Sequence, residues 1–112
     1  MNLLVVILKK EELVTEICKE LAEEGVHGGT IIDATGMASI IEQMDDLPIF
    51  GMLKSILADD DDSEMVKVML FVMNDEEMEA ARKTIRDVVG LDEPNTGIMF
   101  ALPVSFVEGL GA

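Results

Sequence analysis

Leu3-Leu4-Val5-Val6-Ile7-Leu8 is an unbroken apolar run rich in β-branched residues and closed by Lys9-Lys10, a length and texture that fit a strand buried on both faces. From Glu11 to Glu24 the pattern changes period. Leu13, Val14, Ile17, Cys18, Leu21 and Ala22 recur at the three-and-four spacing of one helical stripe, with glutamates on the other side, and Gly25 stands where a left-handed residue closes a helix. The glycine-bounded segment 28–36 (GGTIIDATG) reads as a second strand running into a loop. Residues 64–73 form a third strand around the apolar core Met65 to Val72. Asn74 followed by Glu77 makes a capping box, and Met78, Ala81, Ile85, Val88 and Val89 form the stripe of a second helix that ends at Gly90. The segment 97–104 (GIMFALPV) is the last strand, where Pro103 demands a sheet edge or a strand end.

Strand, helix, strand, long connection, strand, helix, strand is the βαββαβ order of an α+β, ferredoxin-like fold. It predicts a single domain over 1–112, with one antiparallel sheet and two helices on one face. Because the first and third strands are apolar on both sides, one layer of helices leaves half of their surface bare. A copy of the same chain is the simplest cover, so an obligate oligomer is expected.

The connection at 37–63, roughly 27 residues, is far longer than an ordinary hairpin, and loops of that length in small domains are usually functional or disordered. Asp45 and Asp46 are positioned to cap a helix starting near Leu47-Pro48, in which Ile49, Phe50, Met52, Leu53, Ile56 and Leu57 share one side. That side either covers its own domain or a neighbouring subunit, or docks on a target protein. A membrane surface fits less well, because the single Lys54 gives little attraction to anionic lipid and the aspartates flanking the helix are repelled by it. Asp59 to Asp62 with Glu64 offer oxygen ligands for a divalent ion. They lack the alternation and central glycine of a calcium loop, so a solvated loop tip is the expected reading and no metal ligand is assigned.

Composition narrows the function. With 23 acidic residues against 8 Lys and Arg, the formal charge is −15, and the chain has no Trp and no Tyr. Such a surface repels phosphate backbones and offers few stacking platforms, which excludes nucleic acid as a partner. One cysteine, Cys18, precludes an internal disulfide or a two-thiolate metal site and points to a reducing, cytoplasmic setting. The opening apolar run is too short to span a bilayer and lacks the flanks of a signal peptide.

Three stretches together resemble the PII-type nitrogen-regulatory signalling family: NLLVVILKKEELVTEICKELAEEGV, GTIIDATGMA and TGIMFALPVSFVEGL, in the family's order and with the long loop in its place. The resemblance implies a homotrimer of ferredoxin-like subunits, small effectors in clefts between subunits, and the 37–63 loop presented to a target such as a transporter or metabolic enzyme. It implies a switch and not an enzyme. Carried over residue by residue, it marks Thr35, Gly36, Met37, Ala38, Lys67, Thr96 and Gly97 as ligand-binding candidates, and Ile49, Phe50, Leu53, Ile56 and Leu57 as the partner-binding face of the loop. Gly36 and Gly97 match glycines that let a ligand approach the backbone.

The departures from the family pattern are equally specific. Ala38 replaces the second loop glycine, Ser39 and Ile40 stand in place of an Arg-Gln pair, and Ile98 replaces a phosphate-touching lysine. The closing Glu108-Gly109-Leu110-Gly111-Ala112 has no basic Arg-Ile-Arg segment, and the absence of tyrosine precludes uridylylation of the loop. The ordinary ATP site is therefore degraded, no cofactor is assigned with certainty, and a nucleotide or small metabolite is left open as effector. Lys67 is the nearest remaining cation, either a ligand contact or a member of a salt bridge. Arg82, Lys83 and Arg86 are expected to pair within their own helix. His27 is expected at a surface turn, Asp33 is the one candidate for a buried carboxylate, and the nine methionines are expected as packing. The leading reading is a cytoplasmic PII-like regulator. A constitutive trimeric adaptor without effector binding is the alternative, followed by a divalent-metal-binding trimer.

Overall fold

The computed structural model describes residues 1–26, 28–37, 40, 65–90 and 96–110. His27, Ala38, Ser39, the stretch 41–64 with its expected amphipathic helix and aspartate run, 91–95 and 111–112 lie outside the described residues.

The first apolar run is strand β1 (Asn2–Leu8), followed by helix α1 (Glu11–Glu23) and strand β2 (Gly29–Ala34). Beyond the long connection come β3 (Val66–Met73), helix α2 (Asp75–Val89) and β4 (Gly97–Pro103). The four strands form one antiparallel sheet in the order β2-β3-β1-β4, the ferredoxin-like arrangement expected from the element order. Pro103 satisfies both conditions it imposed: it is the last residue of β4, and β4 is an edge strand.

Each helix ends as its sequence dictates. After α1, the Gly25 N–H donates to the Ala22 carbonyl and the Val26 N–H to the Leu21 carbonyl, the paired bonds of a Schellman cap, with Gly25 at φ 90°. At the start of α2, the Asn74 side chain accepts from the Glu77 N–H at 2.8 Å, and the Glu77 carboxylate accepts from the Asn74 N–H at 3.1 Å. This reciprocal pair satisfies two backbone donors that the helix leaves without partners. Gly90, at φ 64°, closes the same helix. Arg82 pairs within α2, 2.8 Å from Glu79, as the spacing required.

Alternation along the strands sorts side chains between two faces. Leu4, Val6 and Leu8 from β1 and Met69, Phe71 and Met73 from β3 are buried against Val14, Ile17 and Leu21 of α1 and Ala81, Ile85 and Val89 of α2. Cys18, as expected, belongs to the packed stripe of α1. The opposite face carries Leu3, Val5 and Ile7 of β1, Val68, Leu70 and Val72 of β3, Thr30 and Ile32 of β2, and Ile98, Phe100 and Leu102 of β4. Among the described residues no helix lies on it. Val5 is buried there because Leu70 and Phe100 flank it in register, whereas Ile98, Phe100 and Leu102 remain 56%, 43% and 50% exposed.

Gly97 illustrates how closely β4 is laid on β1. A Cβ at this position would stand 2.2 Å from the Ile7 carbonyl oxygen, and its φ of 152° is one that side-chain-bearing residues rarely adopt. Gly25 has positive φ but open space around it. Gly97→Ala is accordingly expected to cost about 2 kcal/mol or more and Gly25→Ala about 1 kcal/mol, read as shifts in urea midpoint. Equal losses would mean that the contact with Ile7 yields freely.

Candidate functional site

The strand register gathers residues that are far apart in sequence. Leu8 at the end of β1 lies opposite both Lys67 at the start of β3 and Gly97 at the start of β4, while Lys67 lies opposite Asp33 near the end of β2. Thr35, Gly36 and Met37 continue from β2 at that same end, and Thr96 precedes β4 there. Six of the seven ligand-binding candidates therefore line one end of the sheet, spread over roughly 14 Å at the usual strand spacing; Ala38 lies outside the described residues. Thr35 is exposed, Gly36 half-buried and Met37 76% exposed. Thr96 is only 5% exposed, and its carbonyl accepts from the Lys9 N–H at 3.4 Å, which ties the turn before β4 to the end of β1. The loop residues Ile49, Phe50, Leu53, Ile56 and Leu57 lie outside the described residues.

Electrostatics at this end centre on Lys67. Its Nζ donates to the Asp33 carboxylate Oδ1, and the Glu11 carboxylate at the start of α1 lies 3.7 Å away. The hydrogen bond to Asp33 raises the ammonium pKa above the ordinary lysine value. Partial burial opposes that rise, and the negative charges of Asp33 and Glu11 add to it. Lys67 thus forms the expected salt bridge, with Asp33 and Glu11.

The expectation that Asp33 is buried is corrected: its side chain is 62% exposed and ion-paired. The physical reason is its place on an edge strand, where β2 lies beyond the cover of α1 and only the neighbouring β3 offers a partner. Glu11 is the member of this cluster that sequence reasoning missed. Its periodicity marks only the solvent side of α1, and its link to Lys67 arises because β1 delivers the start of α1 beside the start of β3.

A separate apolar cleft of about 260 Å³ lies between α1 and β2, lined by Cys18, Leu21, Val26, Gly29, Ile31 and Phe71. It includes none of the ligand-binding candidates. No helix of the described residues is long and apolar enough to cross a membrane.

A lysine whose pKa is raised on folding stabilises the protein below the unfolded-state value of about 10.4, and that contribution is lost as pH climbs through the folded value. The wild type should therefore lose stability more steeply than Lys67→Met as the pH rises past the ordinary lysine value in denaturant titrations. Parallel curves would show that the ion pairs do not couple to folding.

The profile of the family described as nitrogen regulatory protein P-II matches residues 1–110. Among solved structures, the crystal structure of Arabidopsis thaliana PII bound to citrate superposes with a TM-score of 0.62 at 21% identity, covering 93% of this chain and 77% of that one; at this identity the likeness establishes a shared fold. No match was found among curated proteins. The match over nearly the whole chain, on a βαββαβ sheet of the expected strand order, means that this chain belongs to the nitrogen regulatory protein P-II family.

Proposed function

We propose that the protein is a homotrimeric signal-transduction regulator that binds a small effector where subunits meet and acts on a target protein through its 37–63 loop, without catalysing a reaction. The observation that carries this reading is the apolar face of the sheet on which, among the described residues, no helix lies. An uncovered surface with Ile98, Phe100 and Leu102 on one edge strand and Ile32 on the other is costly for a free monomer and is satisfied by copies of itself. Family membership supports a regulatory role. The Arabidopsis relative bound to citrate supports a small-metabolite effector by analogy. Thr35, Gly36, Met37, Lys67, Thr96 and Gly97, at the end of the sheet from which the loop departs, are the proposed ligand-facing set, together with Ala38, which lies outside the described residues. The proposed target, a transporter or metabolic enzyme, would meet Ile49, Phe50, Leu53, Ile56 and Leu57, and the proposed setting is the cytoplasm.

One observation favours the second reading, a constitutive trimeric adaptor: Lys67, the cation proposed to face ligand, is already engaged by Asp33 and Glu11. Thermal-shift measurements with AMP, ADP, ATP, cyclic dinucleotides, 2-oxoglutarate and divalent ions separate the readings, since a ligand selective for the folded state raises Tm, by about 2.7 kcal/mol of added stability at a hundredfold excess over Kd. A rise with a nucleotide or metabolite is the expected result for the switch, and no rise with any of them favours the adaptor. Phe50→Asp with Leu53→Asp should abolish target capture while leaving the oligomer intact. Loss of the oligomer would instead assign those residues to subunit packing.

A further inference from the structure

The cleft between α1 and β2 is separate from the site proposed above: it belongs to the helix side of the sheet, apart from the loop-end candidates and from the exposed apolar face. It exists because β2, an edge strand, extends beyond the cover of α1, and because two lining positions carry almost no side chain. Ala22 is one of them. Gly29 is the other, and a Cβ there would stand 2.5 Å from the Phe71 ring, so the ring takes the space that a side chain would need. Phe71, Met69 and Leu21, all buried, form the floor, and the exposed Ile31 forms the outer lip. Water in such a place finds few partners, because the thiol of Cys18 is the one polar side-chain group among the lining residues.

The lining also defines what would displace that water. Among the described residues no charged side chain lines the cleft, and the chain as a whole carries −15, so an anion gains no partner there and approaches against the field. Phe71 offers a ring for offset or edge contact, and the sulfurs of Cys18 and Met69 favour aromatic neighbours. A volume of about 260 Å³ exceeds the roughly 150 Å³ of an engineered apolar cavity that takes up benzene, which leaves room for a second ring. We propose that this cleft is a binding site for an uncharged aromatic molecule of one or two rings, which lies against Phe71 and covers the Cys18 thiol.

The test follows alkylation of Cys18 by iodoacetamide in the full-length protein, with indole as the neutral ligand and its binding heat measured in parallel. Cys18 is half-buried and is the one cysteine of the chain, so the rate reads this cleft. Indole should slow the reaction saturably, about tenfold at about nine times its Kd, since only the unoccupied fraction reacts. Indole-3-carboxylate, with the same rings and a negative charge, should protect less at equal concentration. Ala22→Leu, at an exposed helix position that leucine suits, should fill the cleft and remove both the indole-dependent slowing and the heat. Ile31→Lys, at the exposed lip, should weaken both, and circular dichroism should show each variant folded. The proposal is overturned by the absence of slowing, by equal protection from the carboxylate, by heat without protection of Cys18, or by undiminished protection in both folded variants. It is also overturned if Cys18 of the folded wild type reacts only after denaturant is added, because the cleft would then be filled by the chain itself or by a second copy.

Discussion

Two central strands that are apolar on both faces, covered among the described residues by helices on only one, are the constraint from which the rest of this structure follows. On the helix side, Leu4, Val6, Leu8, Met69, Phe71 and Met73 meet the stripes of α1 and α2 and close a conventional core. On the other side the same strands present Leu3, Val5, Ile7, Val68, Leu70 and Val72, and the edges add Ile32, Ile98, Phe100 and Leu102. At ~25 cal/mol per Å² of apolar surface removed from water, a face of this extent supplies a strong drive toward association. Its acidic surroundings work against clumping without register.

The same antiparallel order that creates this face also determines where the ligand-binding candidates gather. With β1 and β3 adjacent at the centre, the end of β1, the start of β3, the start of β4 and the end of β2 all fall at one end of the sheet. Gly97 permits the close approach of β4 to Ile7 there, and the Thr96 carbonyl ties the preceding turn to Lys9. The long connection leaves from that end and returns to it. A ligand bound among these groups would touch the backbone from which the 37–63 connection departs.

Much of this was legible in the sequence because it is written in local periodicity. The unbroken run at Leu3 to Leu8, the stripe ending at Gly25, the Asn74 and Glu77 box and the Pro103 signal each report on their own few residues, and each element formed with bounds within a residue or two of those expected. What was not legible depends on register. Asp33 looked buried because its neighbours in sequence are apolar, but an edge strand leaves it exposed beside Lys67. Glu11 looked like one more solvated glutamate, and only the pairing of β1 with β3 brings it to the same ammonium. Local pattern names the faces of an element; cross-strand partners are set by topology, which a single strand does not encode.

The central claim is that the bare sheet face is an interface between copies of this chain. Sedimentation equilibrium at micromolar concentration tests it most directly, comparing the wild type with Phe100→Asp, which places a charge in the middle of that face on β4. The account predicts a wild-type mass three times the 12.2 kDa of one chain, and a Phe100→Asp variant that falls to the single-chain mass or fails to fold. A folded, monodisperse wild type at 12.2 kDa would contradict it.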